Sequence, residues 1–99
     1  MSVGTVDTPV RATQRTGPGA GHDEVWRVIV LNDDHNTFEG VAFALSRTLP
    51  GVTYEKGLGI ADTIHRRGRA IVWSGHLELA EMYHEQLAAF GLTMAPLER

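Results

Sequence analysis

Acceptor groups crowd one place in this chain. Directly after four apolar residues, Val28 to Leu31, come Asn32, Asp33, Asp34 and His35, followed by Asn36 and Thr37. An amide oxygen, two carboxylates and an imidazole at the mouth of a strand could hold a cation. The same residue types make local backbone bonds and tolerate turn dihedrals, so they also describe a turn that ends a strand and feeds a helix capped near Asn36 or Thr37. If the cation were a metal, His35, His65, Asp33 and Asp34 would supply nitrogen and oxygen ligands to a small metal-binding or metal-dependent hydrolase domain. No HExxH-like spacing accompanies them, and a helix-end histidine bonded to a carbonyl is the ordinary expectation for His65. Other chemistry finds little support. Ser46 and Ser74 sit in no nucleophile-elbow pattern, and phosphate loops of the glycine and lysine type are absent.

Size and composition bound the rest. Ninety-nine residues, 42% of them apolar, suit one domain with one modest core. No stretch approaches the ~20 apolar residues of a membrane span, and the start does not read as a signal peptide. Without cysteine there is neither a disulfide framework nor a thiolate metal site, which suits a reducing cytoplasm. A net charge of -3 with no Lys or Arg run argues against nucleic acid, whose phosphates need a clustered positive face. Arg66, Arg67 and Arg69 gather where a helix end would carry a partial negative charge.

These candidate residues need elements to position them. Residues 1 to 23 lack apolar periodicity and read as a disordered extension, so the core domain is expected over 24 to 99. Val25 to Leu31 reads as a central strand. Phe38, Val41, Ala42, Leu45 and Leu49 mark one face of a helix that Pro50 and Gly51 end. Thr53 is a cap for a second helix, Tyr54 to Arg67, with Tyr54, Leu58, Ala61, Ile64 and His65 along one side. Gly57 and Gly59 each cost about 1 kcal/mol there relative to alanine, which points to a weak first half or a closely packed backbone. Gly68 stops the helix, and Arg69 to Trp73 reads as a strand. A third helix is expected from His76 to Phe90, its apolar side formed by Leu77, Ala80, Leu87 and Phe90. Leu92 to Leu97 completes the order as a short strand that Pro96 confines to an edge or to its own end. The fold class is α+β: a three-stranded antiparallel sheet with three helices packed on one face, in the order β-α-α-β-α-β.

The run VIVLNDDHNTFE, followed further along by IHRRGRAIV and SGHLELAEMYHEQL, resembles the Clp protease adaptor family, ClpS, over residues 25 to 97. The resemblance implies the same fold and no enzymatic activity. It also implies a role as an adaptor with no cofactor. Such adaptors bind proteins whose first residue is bulky and apolar (Phe, Tyr, Trp or Leu) and deliver them to a Clp AAA+ ATPase, of the ClpA or ClpC type, for degradation. By position, Asn32, Asp33 and His65 match the ligands of the free α-amino group, with Asp34 continuing the motif or holding the turn. Asn36, Phe38, Ala61, Ile64 and, more loosely, Thr93 match the pocket for the first side chain. The chain departs from the common family pattern with Asn36 for Thr, Thr37 for Pro, and Phe38 and Ala61 for Met. Glu78 matches an acidic ATPase-docking position, while Tyr83 and His35 replace a Lys and a Tyr. Chemistry agrees with the match, because an ammonium offers three donors and a charge to an amide oxygen, an imidazole and a carboxylate. An imidazole accepts only when neutral, so affinity should fall on acidification.

Overall fold

The computed structural model describes residues 24–99, so the extension expected over residues 1 to 23 lies outside the described residues. Five regular elements follow in order: β1 (Trp26–Leu31), α1 (Phe38–Thr48), α2 (Tyr54–Arg67), β2 (Arg69–Gly75) and α3 (Leu77–Ala89). Among the described residues no helix is long and apolar enough to cross a membrane.

The helix starts are set locally. Thr37 caps α1, its Oγ1 accepting from Gly40 N at 2.9 Å, and Thr53 caps α2 by accepting from Lys56 N at 3.1 Å. Each cap satisfies a donor that a helix start would otherwise leave unpaired. Gly68, at φ 89°, ends α2 in a left-handed conformation that side-chain-bearing residues avoid.

α1 and α2 form a tight pair. A Cβ placed on Gly57 would lie 2.9 Å from both Cα and O of Ala42, so the glycine lets the two backbones touch. Gly59 has nothing within 4 Å of such a position. The two glycines of α2 thus differ in kind, and only Gly57 is there for packing. Tyr54, placed by periodicity on the inner side of α2, stands exposed; the buried positions are Gly57, Ala61 and Ile64. On α3 the buried residues are Ala80 and Leu87, whereas Leu77 and Phe90, expected on the apolar side, are exposed. Leu77 is the first residue of α3 and Phe90 its C-cap, so both stand at the ends of the helix, beyond the Ala80 and Leu87 positions that meet the core.

β1 pairs antiparallel with β2, and the register slips between Val28 and Ile29: Val28 faces Trp73 while Ile29 faces Ile71. Val72 is the extra residue of this bulge, so Val72 and Trp73 both pack toward the core. The expected third strand is less regular than its two neighbours. The segment after α3 meets β1 only at two antiparallel bridges, Val30 with Met94 and Arg27 with Glu98. Pro96 lies between them without an N–H, and the regular sheet is accordingly two-stranded. Val28 and Val30 face the helices in one core with Val41, Ala44, Leu45, Ile64 and Leu87. On the other side of β1, Arg69 reaches from β2 to Glu98 at 3.0 Å, a link between the two segments flanking the buried Ile29.

Candidate functional site

The end of β1, the start of α1, the last turns of α2 and the segment after α3 enclose a cavity of about 40 Å³. Its lining includes Asn32, Asp33, Asn36, Phe38, Ala61, Ile64, His65 and Thr93, all eight residues assigned from sequence to amino-group recognition or to the side-chain pocket. Sequence reasoning missed Val30, Leu31, Val41 and Leu92, which complete the wall. The continuous apolar run of β1 marked Val30 for burial and the 3.6-residue period of α1 placed Val41 inward, but neither pattern says which buried residue meets a hole.

Burial divides the lining into a floor and a rim. Val30, Val41, Ala61, Ile64 and Leu92 are buried and form the apolar floor. Asn32 and His65 are exposed at the rim. His65 arrives there because it follows Ala61 and Ile64 at the i, i+3, i+4 spacing of one α2 stripe. Asn32 is set by its backbone N–H, which donates to Gly68 O at 2.9 Å and so ties the end of β1 to the end of α2. Neither side chain has a hydrogen-bond partner among the described residues. Phe38 stands 38% exposed with its ring edge-on to His65, centroids 5.4 Å apart and planes at 62°.

Asp33 is different. Its side chain is only 12% exposed, and both oxygens are engaged. Oδ1 accepts from His35 N at 3.1 Å and from Asn36 N at 2.8 Å; Oδ2 accepts from Asn36 Nδ2 at 2.7 Å and from Thr93 Oγ1 at 2.8 Å. Burial opposes its charge, but the bonds from Asn36, Thr93 and the His35 backbone outweigh that and hold the carboxyl well below the usual carboxylate range. Thr93 is 60 residues away in the chain, so this carboxylate joins the β1–α1 turn to the C-terminal segment. Asn36 adds a second tie by donating from Nδ2 to Gly91 O at 3.0 Å.

The remaining candidates lie elsewhere. Asp34 is fully exposed beside the cavity and does not line it. Nδ1 of His35 is 3.7 Å from Asp33 and 3.8 Å from Asp34, on an imidazole that is mostly exposed. The four side chains considered as metal ligands do not converge, since His65 packs on Phe38 instead. Among the described residues no group of three or more His, Cys, Asp or Glu side chains could hold a metal ion. Glu78 is exposed in the first turn of α3. Tyr83 is half-buried, its ring 4.9 Å from that of Trp73, so most of this side chain serves the core.

Comparison with known proteins agrees with the geometry. A family model described as "ATP-dependent Clp protease adaptor protein ClpS" matches residues 21–95. An ATP-dependent Clp protease adapter protein ClpS from Nostoc sp. is 46% identical over 99% of this chain and 98% of its own length. One from Thermosynechococcus vestitus is 51% identical over 78% of this chain and 82% of its own. Among solved structures, Agrobacterium tumefaciens ClpS2 bound to L-phenylalaninamide superposes with a TM-score of 0.69 at 25% identity, covering 75% of this chain and 94% of that one. Fold, cavity and sequence therefore converge, and the chain belongs to the ClpS family of ATP-dependent Clp protease adaptor proteins.

Proposed function

We propose that this adaptor grips proteins by their first residue: the free α-amino group at the rim, a bulky apolar side chain (Phe, Tyr, Trp or Leu) on the floor. One observation carries the reading. Asn32 and His65, from distant parts of the chain, meet at one rim with unused acceptors, directly above an apolar floor. A charged donor bonded to such acceptors contributes about 1.5 to 3 kcal/mol per bond, and burying a large side chain adds a similar amount. The relative bound to L-phenylalaninamide lends support, since that ligand carries a free amine and a benzyl group on one carbon. Phe38 and Ala61, unlike the residues usual in the family, shape the walls and thereby the ranking of first residues.

The cargo then passes to a Clp AAA+ ATPase of the ClpA or ClpC type in the cytoplasm. Glu78, at the exposed start of α3, is the best-placed of the docking candidates. His35 is exposed but belongs to the cavity loop, and Tyr83 offers only its outer edge. Nothing in this role requires a catalytic group or a cofactor.

A fluorescent peptide beginning with Phe, titrated against the same peptide acetylated, tests the clamp. The free amine should bind and the acetylated form should not, because acetylation removes the charge and leaves the acceptors unpaired. Equal affinities would sink the proposal.

A further inference from the structure

An α-ammonium carries three N–H donors. Asn32 and His65 offer it two acceptors, and the clamp just proposed, on which this inference rests, needs a third. Asp33 is the obvious source, but it is occupied. Four donors already fill its two oxygens, which have about four lone-pair positions between them. A ligand N–H could reach Asp33 only by displacing one of them.

Asn36 stands beside it and lines the same cavity. Its amide fits only one way round. Nδ2 lies 2.7 Å from Asp33 Oδ2 and 3.0 Å from Gly91 O, and reversing the amide would press Oδ1 against two oxygens. Both amide hydrogens are therefore in use, while Oδ1 has no hydrogen-bond partner among the described residues. It is also a strengthened acceptor. Donating to a carboxylate draws electron density through the conjugated amide toward Oδ1, so the Asp33 charge is felt at the far end of Asn36.

We propose that Asn36 Oδ1 is the third acceptor of the bound α-ammonium, and that Asp33 acts through Asn36 and as a nearby charge rather than by direct contact. Asn36 is then a ligand-binding residue as well as part of the wall. Asp33 and Thr93 are positioning residues.

A methyl group on the ligand's nitrogen tests this. A peptide beginning with N-methyl-Phe keeps the positive charge and has one N–H fewer. Its affinity is compared with that of the Phe peptide for the wild-type chain, N36A and N32A. Methylation should weaken wild-type binding about tenfold, the loss of one charge-assisted bond. N36A should bind the Phe peptide about tenfold more weakly and show no further loss on methylation, because the methyl turns toward the vacated acceptor. N32A should behave alike. A full methylation penalty in N36A would overturn the assignment while leaving the clamp intact. Should the melting curve show that N36A does not fold, the wild-type chain decides. The side-chain amide resonances of Asn36 should shift on adding the free-amine peptide and stay in place with the acetylated one, and an absence of shift overturns the proposal. If the wild-type chain does not prefer the free amine, the clamp itself has failed.

Discussion

The cavity has two polar sides built from similar residues and bonded in opposite ways. Around Asp33, the side chains of Asn36 and Thr93 and two backbone N–H groups fill every carboxylate position, and the corner ties the β1–α1 turn to the C-terminal segment. At the rim, Asn32 and His65 are exposed and their side chains have no hydrogen-bond partner among the described residues. The first arrangement holds the fold together, and the second is free to bind something else. Residue type did not distinguish them, because Asn32 and Asp33 are neighbours in one motif. What distinguishes them is where the donors went.

The contrast is broken most severely at Asp33. Asp33→Ala leaves several donors unpaired at once and should cost about 3 kcal/mol of stability, read from denaturant unfolding. A loss below about 0.5 kcal/mol would mean that the corner is not structural. Asn32→Ala and His65→Ala should act the other way round. Each should weaken binding of a Phe peptide by about 2 kcal/mol, roughly thirtyfold, in a fluorescence titration. Asn32→Ala should leave the melting temperature unchanged, and His65→Ala should lower stability by no more than about 1 kcal/mol through its contact with Phe38. Large destabilisation by either would erase the distinction between the two sides.

Gly57 and Gly59 sharpen it from below, because α2 supplies Ala61 and Ile64 to the floor. Gly57→Ala forces α1 and α2 apart at Ala42 and should cost about 1 to 3 kcal/mol, with binding impaired as the floor shifts. Gly59→Ala, two residues on and unobstructed, should stabilise the helix by up to about 1 kcal/mol without touching affinity. Melting curves of the two variants settle both signs.

Acid gives the mildest perturbation. The Asp33 carboxyl titrates lower in the folded chain than in the unfolded one, where it is expected near 3.9. Its contribution is therefore full above that unfolded value and fades as pH falls toward the lowered folded one. The stability difference between wild type and Asp33→Asn should be constant from pH 7 to about 5 and shrink below about 4. A difference that grows on acidification would contradict the bonding seen at Asp33.

Much of this was legible in the order of residues. Caps at Thr37 and Thr53, the glycine stop at Gly68 and the apolar face of α1 are local matters, decided within a few residues by backbone dihedrals and side-chain period. So was the motif around Asn32, which a resemblance could carry because its residues are contiguous. The fold order and the four cavity residues of that motif could be assigned on that basis; Ala61, Ile64, His65 and Thr93 come from the resemblance along the rest of the chain. The bulge at Val72, the broken pairing of the C-terminal segment and the exposure of Phe90 and Tyr54 could not. These depend on how elements meet, and a helix or strand does not contain its neighbour's contour.

The same boundary runs through the site. Sequence alone determined which groups were present: an amide, carboxylates, an imidazole and a hydroxyl, with helices and strands to carry them. Only the tertiary structure decided which were already bonded, because the donors to Asp33 include Thr93 from the far end of the chain and the partners of Asn36 include the Gly91 carbonyl. A polar side chain is free to act on a ligand only when folding has left its lone pairs unmatched, and that balance is struck between residues that sequence does not place side by side.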